Sequence, residues 1–258
     1  MGSEHATSGF DAGRAQGSFD ADDFDEFERS HPNIFASKLA LLHHAIVDGN
    51  ADRQPGRTLS VGGGTGSYEQ ALRDRFDVDT DIIVEPAPDL ASQARSRGFD
   101  VVAATIEEAG LDKERFDTIF YNGSAFGYIA DDALRKVLRL HWNQLNPSGS
   151  LILLDVPSSS ALGLAVIASF DIDGPSYIRT VLSSSWYDED VPHKEFWRTT
   201  EEYVELLRDA GFPDFSYWQT LRRHPLYQNE EAEDPVTGYR EGSYVAIVAH
   251  KEAIAHGE

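Results

Sequence analysis

The chain has no cysteine among its 258 residues. Disulfide bridges, cysteine-ligated zinc, iron–sulfur clusters and thiol catalysis are thereby excluded. Basic residues are scarce as well. Lys and Arg number 22 against 44 Asp and Glu, for a formal net charge of -22. Such a balance disfavours a non-specific nucleic-acid surface, because phosphates would be repelled. A solvated acidic surface accounts for it without any function. No apolar run approaches the roughly 20 residues that would span a bilayer. The N-terminus lacks the basic-then-apolar order of a signal peptide, so the expected location is the cytoplasm.

What is present is organised around Thr58–Tyr68, which reads TLSVGGGTGSY. Leu59, Ser60 and Val61 form a short, mostly apolar run. Gly62, Gly63, Gly64 and Gly66 follow, and then Tyr68, Ala71, Leu72 and Phe76 share a helical face. The order is strand, glycine turn, helix. Glycines let the turn adopt left-handed angles and let a ligand lie against the backbone. The helix start offers free N–H groups to an anionic group.

Residues 1–22 are rich in Gly, Ser, Ala and Asp and read as a mobile tail. Residues 23–56 read as a helical cap. It holds a short helix near Phe24 and Phe27 and a longer one over Ile34–Val47. His43 and His44 in the longer helix read as packed or surface residues. Residues 57–258 read as one α/β domain with an irregular insertion over about 156–198. Strands are expected at Asp81–Val84, Val101–Ala104, Phe116–Tyr121, Ser150–Asp155, Phe215–Leu221 and Tyr244–Ala249, with Asn146–Gly149 as a turn. Helices are expected from Pro88, over Asp131–Leu145 and over Thr199–Ala210, the last opened by a Thr199/Glu202 capping box. His141 falls on an apolar helix face and reads as a satisfied core histidine. Arg222–Gly242 reads as a long polar loop. The alternation predicts a doubly wound, mostly parallel sheet with helices on both faces. Ligands bind such sheets at the carboxyl ends of the strands, near the topological switch point.

Four features fall at those ends. They are the glycine turn; Glu85, 19 residues beyond Gly66; the Ala104-Thr105-Ile106 run; and Asn122. A carboxylate at Glu85 suits a ribose diol. Thr105 and Ile106 suit an adenine edge and face. The turn does not fit the G-x-G-x-x-G of nicotinamide dinucleotides, since Ser67 or Glu69 stands at its last position. No Lys follows the glycines, so it is not a phosphate loop either. A nucleoside cofactor without phosphates fits best. An NAD(P)-dependent oxidoreductase and a non-catalytic binding protein on the same scaffold remain as alternatives.

With those residues in view, the chain resembles the class I, Rossmann-like S-adenosylmethionine-dependent methyltransferases. LSVGGGTG resembles their first motif, Glu85-Pro86 their acidic end of strand two, and Phe116–Ile119 their entry to strand four. Leu145–Gly149 resembles their turn before strand five, and Asp209–Phe212 the end of their late helix. The resemblance implies a seven-stranded sheet with the last strand antiparallel. It implies S-adenosylmethionine as cofactor and a small molecule as methyl acceptor, through an oxygen or nitrogen nucleophile. It implies that Gly62, Gly63, Gly64 and Gly66 lie along the methionine part, that Glu85 and Pro86 hold the ribose and that Thr105 and Ile106 hold adenine. Asn122 would stand beside the sulfonium, and Phe24 or Phe27 from the N-terminal helix would close over the cofactor. The chain departs from the family at Ser60, where an acid usually orients the glycine loop, and at Thr105, where Asp is frequent. Should the acceptor need to lose a proton, His193 and His31 are candidate bases, with Tyr121 and Tyr128 as orienting groups.

Overall fold

The computed structural model describes residues 21–50, 54–123, 125–129, 131–164, 198–223 and 229–252. Among the described residues there are eight strands: β1 Thr58–Val61, β2 Ile82–Val84, β3 Val101–Val102, β4 Phe116–Tyr121, β5 Leu145–Asp155, β6 Asp214–Thr220, β7 Val236–Thr237 and β8 Tyr244–His250. They form one sheet in the order β3-β2-β1-β4-β5-β8-β6-β7. β1 to β5 pair in parallel, and β8 runs antiparallel to both β5 and β6. The chain moves outward from β1 to β3 and then returns to β4 on the other side of β1. The crevice for a ligand therefore opens at the carboxyl ends of β1 and β4.

Two details differ from the sequence reading. The sheet has eight strands rather than seven, because Val236–Thr237 pairs with Trp218 and Gln219 inside the stretch read as loop. Two residues are too few to show an alternating pattern. Asn146–Gly149 also lies within β5 rather than before it. Leu145 pairs with Phe116 and Ser150 with Thr118, so the expected turn is absorbed as an irregularity in a continuous strand.

Helices cover the sheet, among them α1 Ala21–Ser30, α2 Pro32–Gly49, α3 Ser67–Phe76, α4 Pro88–Ser96, α5 Asp131–Gln144 and α6 Thr200–Ala210. Side chains alternate across β4 and β5, as the period of two requires. Phe120 and Ile152 meet Leu39, Leu42 and Ile46 of α2 and Leu72 of α3 on one face. Ile119, Leu151 and Leu153 meet Leu134 and Val137 of α5 and Leu207 of α6 on the other. At roughly 1.5–3 kcal/mol per buried aliphatic side chain, these two layers dominate the favourable side of folding. α6 begins on the expected capping box, with Thr199 and Glu202 each bonded to the other's backbone, and ends at Gly211 with φ 114°. His141 is fully buried and bonded to Tyr121 at 2.6 Å and Gln144 at 2.9 Å. Burial pushes its imidazole down to about 4, so it is a neutral core residue. Among the described residues no helix is long and apolar enough to cross a membrane.

Candidate functional site

The glycine turn leaves β1 with Gly62, Gly64 and Gly66 in the left-handed region, at φ 67°, 59° and 76°. Other residues would be strained at each position. Gly63 is needed for space: a Cβ there would stand 2.7 Å from Ile83. The loop is pinned to β2 at two points. Gly62 donates its N–H to the Val84 carbonyl at 2.8 Å. Gly64 donates to Oε2 of Glu85 at 2.9 Å. Oε1 of Glu85 accepts the Ala87 N–H at 2.8 Å. Burial raises the Glu85 carboxyl, and these two backbone donors work against that rise. Each oxygen accepts one backbone bond and keeps a further lone pair for a ligand.

Glu69 lies in the first turn of α3 with no exposed surface. Its Oε1 accepts from the Ser60 hydroxyl at 2.5 Å and from the Asn122 amide at 2.8 Å. The side chain thus links the ends of β1 and β4 beneath the glycine loop. Its Oε2 is buried and has no hydrogen-bond partner. Burial drives the Glu69 carboxyl up to about 7, and Ser60 opposes the rise.

The N-terminal helix meets the loop from the other side. Asp25 on α1 accepts the Thr65 hydroxyl at 2.8 Å and pairs with Arg97 at 2.5 Å. Arg97 also donates to the Thr65 carbonyl. Glu28, one turn along α1, accepts the Ser67 hydroxyl at 2.8 Å. Burial raises the Glu28 carboxyl to about 7. Lys38 of α2 places its ammonium 4.7 Å from the ring centre of Tyr68 and 5.0 Å from that of Tyr244. Desolvation lowers it to about 8, against the attraction of Glu28 and Asp155. Asp155 ends β5 and accepts the Tyr203 hydroxyl at 2.5 Å. Arg198 donates to the carbonyls of Phe126 at 3.2 Å and Ile129 at 2.9 Å, holding the turn that follows β4.

Of the residues singled out from the sequence, Gly62, Gly63, Gly64, Gly66, Glu85 and Asn122 come together here. Pro86 is half-buried next to Glu85. Thr105 is half-buried just beyond β3, and Ile106 is buried in the core layer that contains Val84. Tyr121 turns its hydroxyl to His141 in the core. His31 lies between α1 and α2, its Nδ1 2.9 Å from the Ser30 hydroxyl. His193 lies outside the described residues, as do the side chains of Phe24, Phe27 and Tyr128. Three contributors were not singled out: Asp25, Glu28 and Glu69. Glu69 carried one signal, an acid in a first turn just after a turn whose usual acid is missing.

Residues 58–149 match the profile of the methyltransferase domain family. No curated protein matches the chain significantly. Among solved structures, the chain is similar to an S-adenosylmethionine-dependent methyltransferase of Thermotoga maritima described as a possible histamine N-methyltransferase. The two are 26% identical with a TM-score of 0.69, covering 90% of this chain and 95% of that one. The plantazolicin methyltransferase BpumL, solved with S-adenosylhomocysteine, shares the fold at 12% identity and a TM-score of 0.59, over 92% of this chain and 94% of its own. The plantazolicin methyltransferase BamL does so at 15% identity and 0.57, over 89% and 88%.

Proposed function

We propose that this chain, a class I S-adenosylmethionine-dependent methyltransferase, transfers the methyl group to a nitrogen or oxygen nucleophile of a small molecule. The observation that carries the reading is the tie between Gly64 and Glu85, which joins a glycine cradle to a carboxylate at the next strand end. The residues fit the cofactor. Gly63 leaves space that a Cβ would fill, Glu85 has acceptor capacity for a ribose diol, and the buried Oε2 of Glu69 lacks a partner. Gly62 to Gly66 would lie along the methionine part, Glu85 and Pro86 at the ribose, and Thr105 and Ile106 at the adenine. When bound, S-adenosylmethionine supplies a methyl group on a sulfonium, which needs no further activation.

The protein's task is then to align the acceptor and exclude water. Asp25 and Glu28 fasten α1 to the residues either side of Gly66, so the chain roofs its own cradle. Residues 23–56 act as the cap in this reading; residues 165–197 of the insertion lie outside the described residues. A roofed site supports a small acceptor, and the net charge of -22 supports one that is not a polyanion. The Thermotoga protein's printed description lends weight to nitrogen. An amine must shed its proton before its lone pair can attack. Glu28 and Lys38, held near 7 and 8, stand beside the loop in the range where a proton can be taken at neutral pH. The proposed location is the cytoplasm.

The test is the fate of label. The protein is incubated with S-adenosylmethionine carrying a deuterated methyl group and a cell extract split by size. The reading expects label in compounds of small mass. Label confined to protein or nucleic acid would reject it.

A further inference from the structure

We propose that Glu69, on the helix after the glycine loop, is the carboxylate that fixes the methionine end of the cofactor in this chain. The proposal rests on the cofactor assignment above and names a positioning residue within it. Residue 60, the last but one of β1, is a serine, with a hydroxyl and no charge. The serine hydroxyl donates instead to Oε1 of Glu69 at 2.5 Å, and Asn122 donates to the same oxygen at 2.8 Å. The carboxylate therefore lies at the junction of β1, β4 and the loop, approached from α3. A Cβ built on Gly63 would be 3.2 Å from Oε1 of Glu69 and 3.1 Å from the Ser60 hydroxyl. The loop backbone passes directly over this pair.

A structural role alone leaves one fact unexplained. A buried carboxylate oxygen without a donor is costly, on the order of 1–3 kcal/mol. Oε2 of Glu69 has none. Ser60, the Glu69 backbone N–H and Asn122 favour the charged form, while Glu28 on α1 faces Glu69 with a like charge. A ligand with a positive charge close to the loop would relieve the strain. The α-ammonium at the amino-acid end of the cofactor is such a charge. Adenosine-like ligands without an amino-acid part have none. Glu69 is thus expected to distinguish the two ends of the cofactor, whereas Glu85 acts on the nucleoside.

Calorimetry on the full chain tests this with two probes. S-adenosylhomocysteine carries the amino-acid part and 5′-methylthioadenosine lacks it. Glu69→Gln keeps the shape and one acceptor oxygen for Ser60 and Asn122 and removes the charge. The proposal expects it to weaken S-adenosylhomocysteine by about tenfold or more while changing 5′-methylthioadenosine by less than about twofold. Exchanging the two groups, Ser60→Asp with Glu69→Ser, returns a carboxylate to the same junction and is expected to recover most of the lost affinity. Equal weakening of both probes by Glu69→Gln, or no change in either, would overturn the proposal. A wild-type protein that bound neither probe would instead reject the cofactor assignment.

Discussion

Thr65, inside the glycine loop, donates its hydroxyl to Asp25 of α1 at 2.8 Å, and Asp25 also holds Arg97 at 2.5 Å. The two bonds tie the N-terminal helix to the glycine loop and to the end of α4. The pair with Arg97 is roughly a quarter exposed, so screening keeps its worth for overall stability below about 1 kcal/mol. Its consequence is local. Asp25→Ala should loosen α1 and raise the dissociation rate of S-adenosylhomocysteine severalfold, with little loss of melting temperature. Stopped-flow displacement measures the rate, and an unchanged value would separate α1 from cofactor retention.

The pH dependence has a definite sign. Glu28 and Glu69 are both raised to about 7 in the folded chain, chiefly by burial. Unfolded, they titrate near 4.5. Between those values the folded state binds more protons, so stability is greatest below the lower value and is lost as pH rises through the upper one. The melting temperature should fall from pH 5 towards pH 7.5 through these two groups. Combining Glu28→Gln with Glu69→Gln should flatten that slope. A slope that survived the double substitution would assign the dependence to other residues.

His141 gives a contrast of the opposite sign. Its pKa is lowered to about 4 by burial, so its contribution is present above its ordinary value of 6.5 and is lost as pH falls towards 4. His141→Leu leaves the Tyr121 hydroxyl and the Gln144 carbonyl without their partner. The expected cost is about 2–3 kcal/mol in urea unfolding. S-adenosylhomocysteine affinity should stay near the wild-type value, because His141 lies in the core away from the loop. A large loss of affinity at normal stability would contradict the core assignment.

The parts of this architecture with a strong local pattern were legible in the sequence. β4 and β5 show as short, mostly apolar runs of strands buried on both faces, α5 follows the helical period, and α6 carries its capping box in plain residues. Thr199→Ala should accordingly cost about 1 kcal/mol, with cofactor affinity unchanged in the same titration. Glu85 was legible because a carboxylate at a strand end has a fixed distance from the glycine turn. β7 was not, because two residues carry no pattern. The turn residues Asn146–Gly149 signal a break, yet the neighbouring β4 offers partners that keep the strand continuous around them. Glu69 and Asp25 belong to pairings 9 and 40 residues apart, made by helix packing that no local pattern records. An acid in a first helical turn also has an ordinary explanation in the helix dipole.

The most direct measurement of the whole account is the affinity of S-adenosylhomocysteine for the wild-type chain and for Glu85→Ala, by calorimetry. The glycine cradle and Glu85 together predict saturable binding by the wild type and a dissociation constant more than about tenfold higher in the variant, a change above ~1.4 kcal/mol. Equal dissociation constants for the two proteins would contradict the ribose role of Glu85 and, with it, the placement of the cofactor at the Gly64–Glu85 junction.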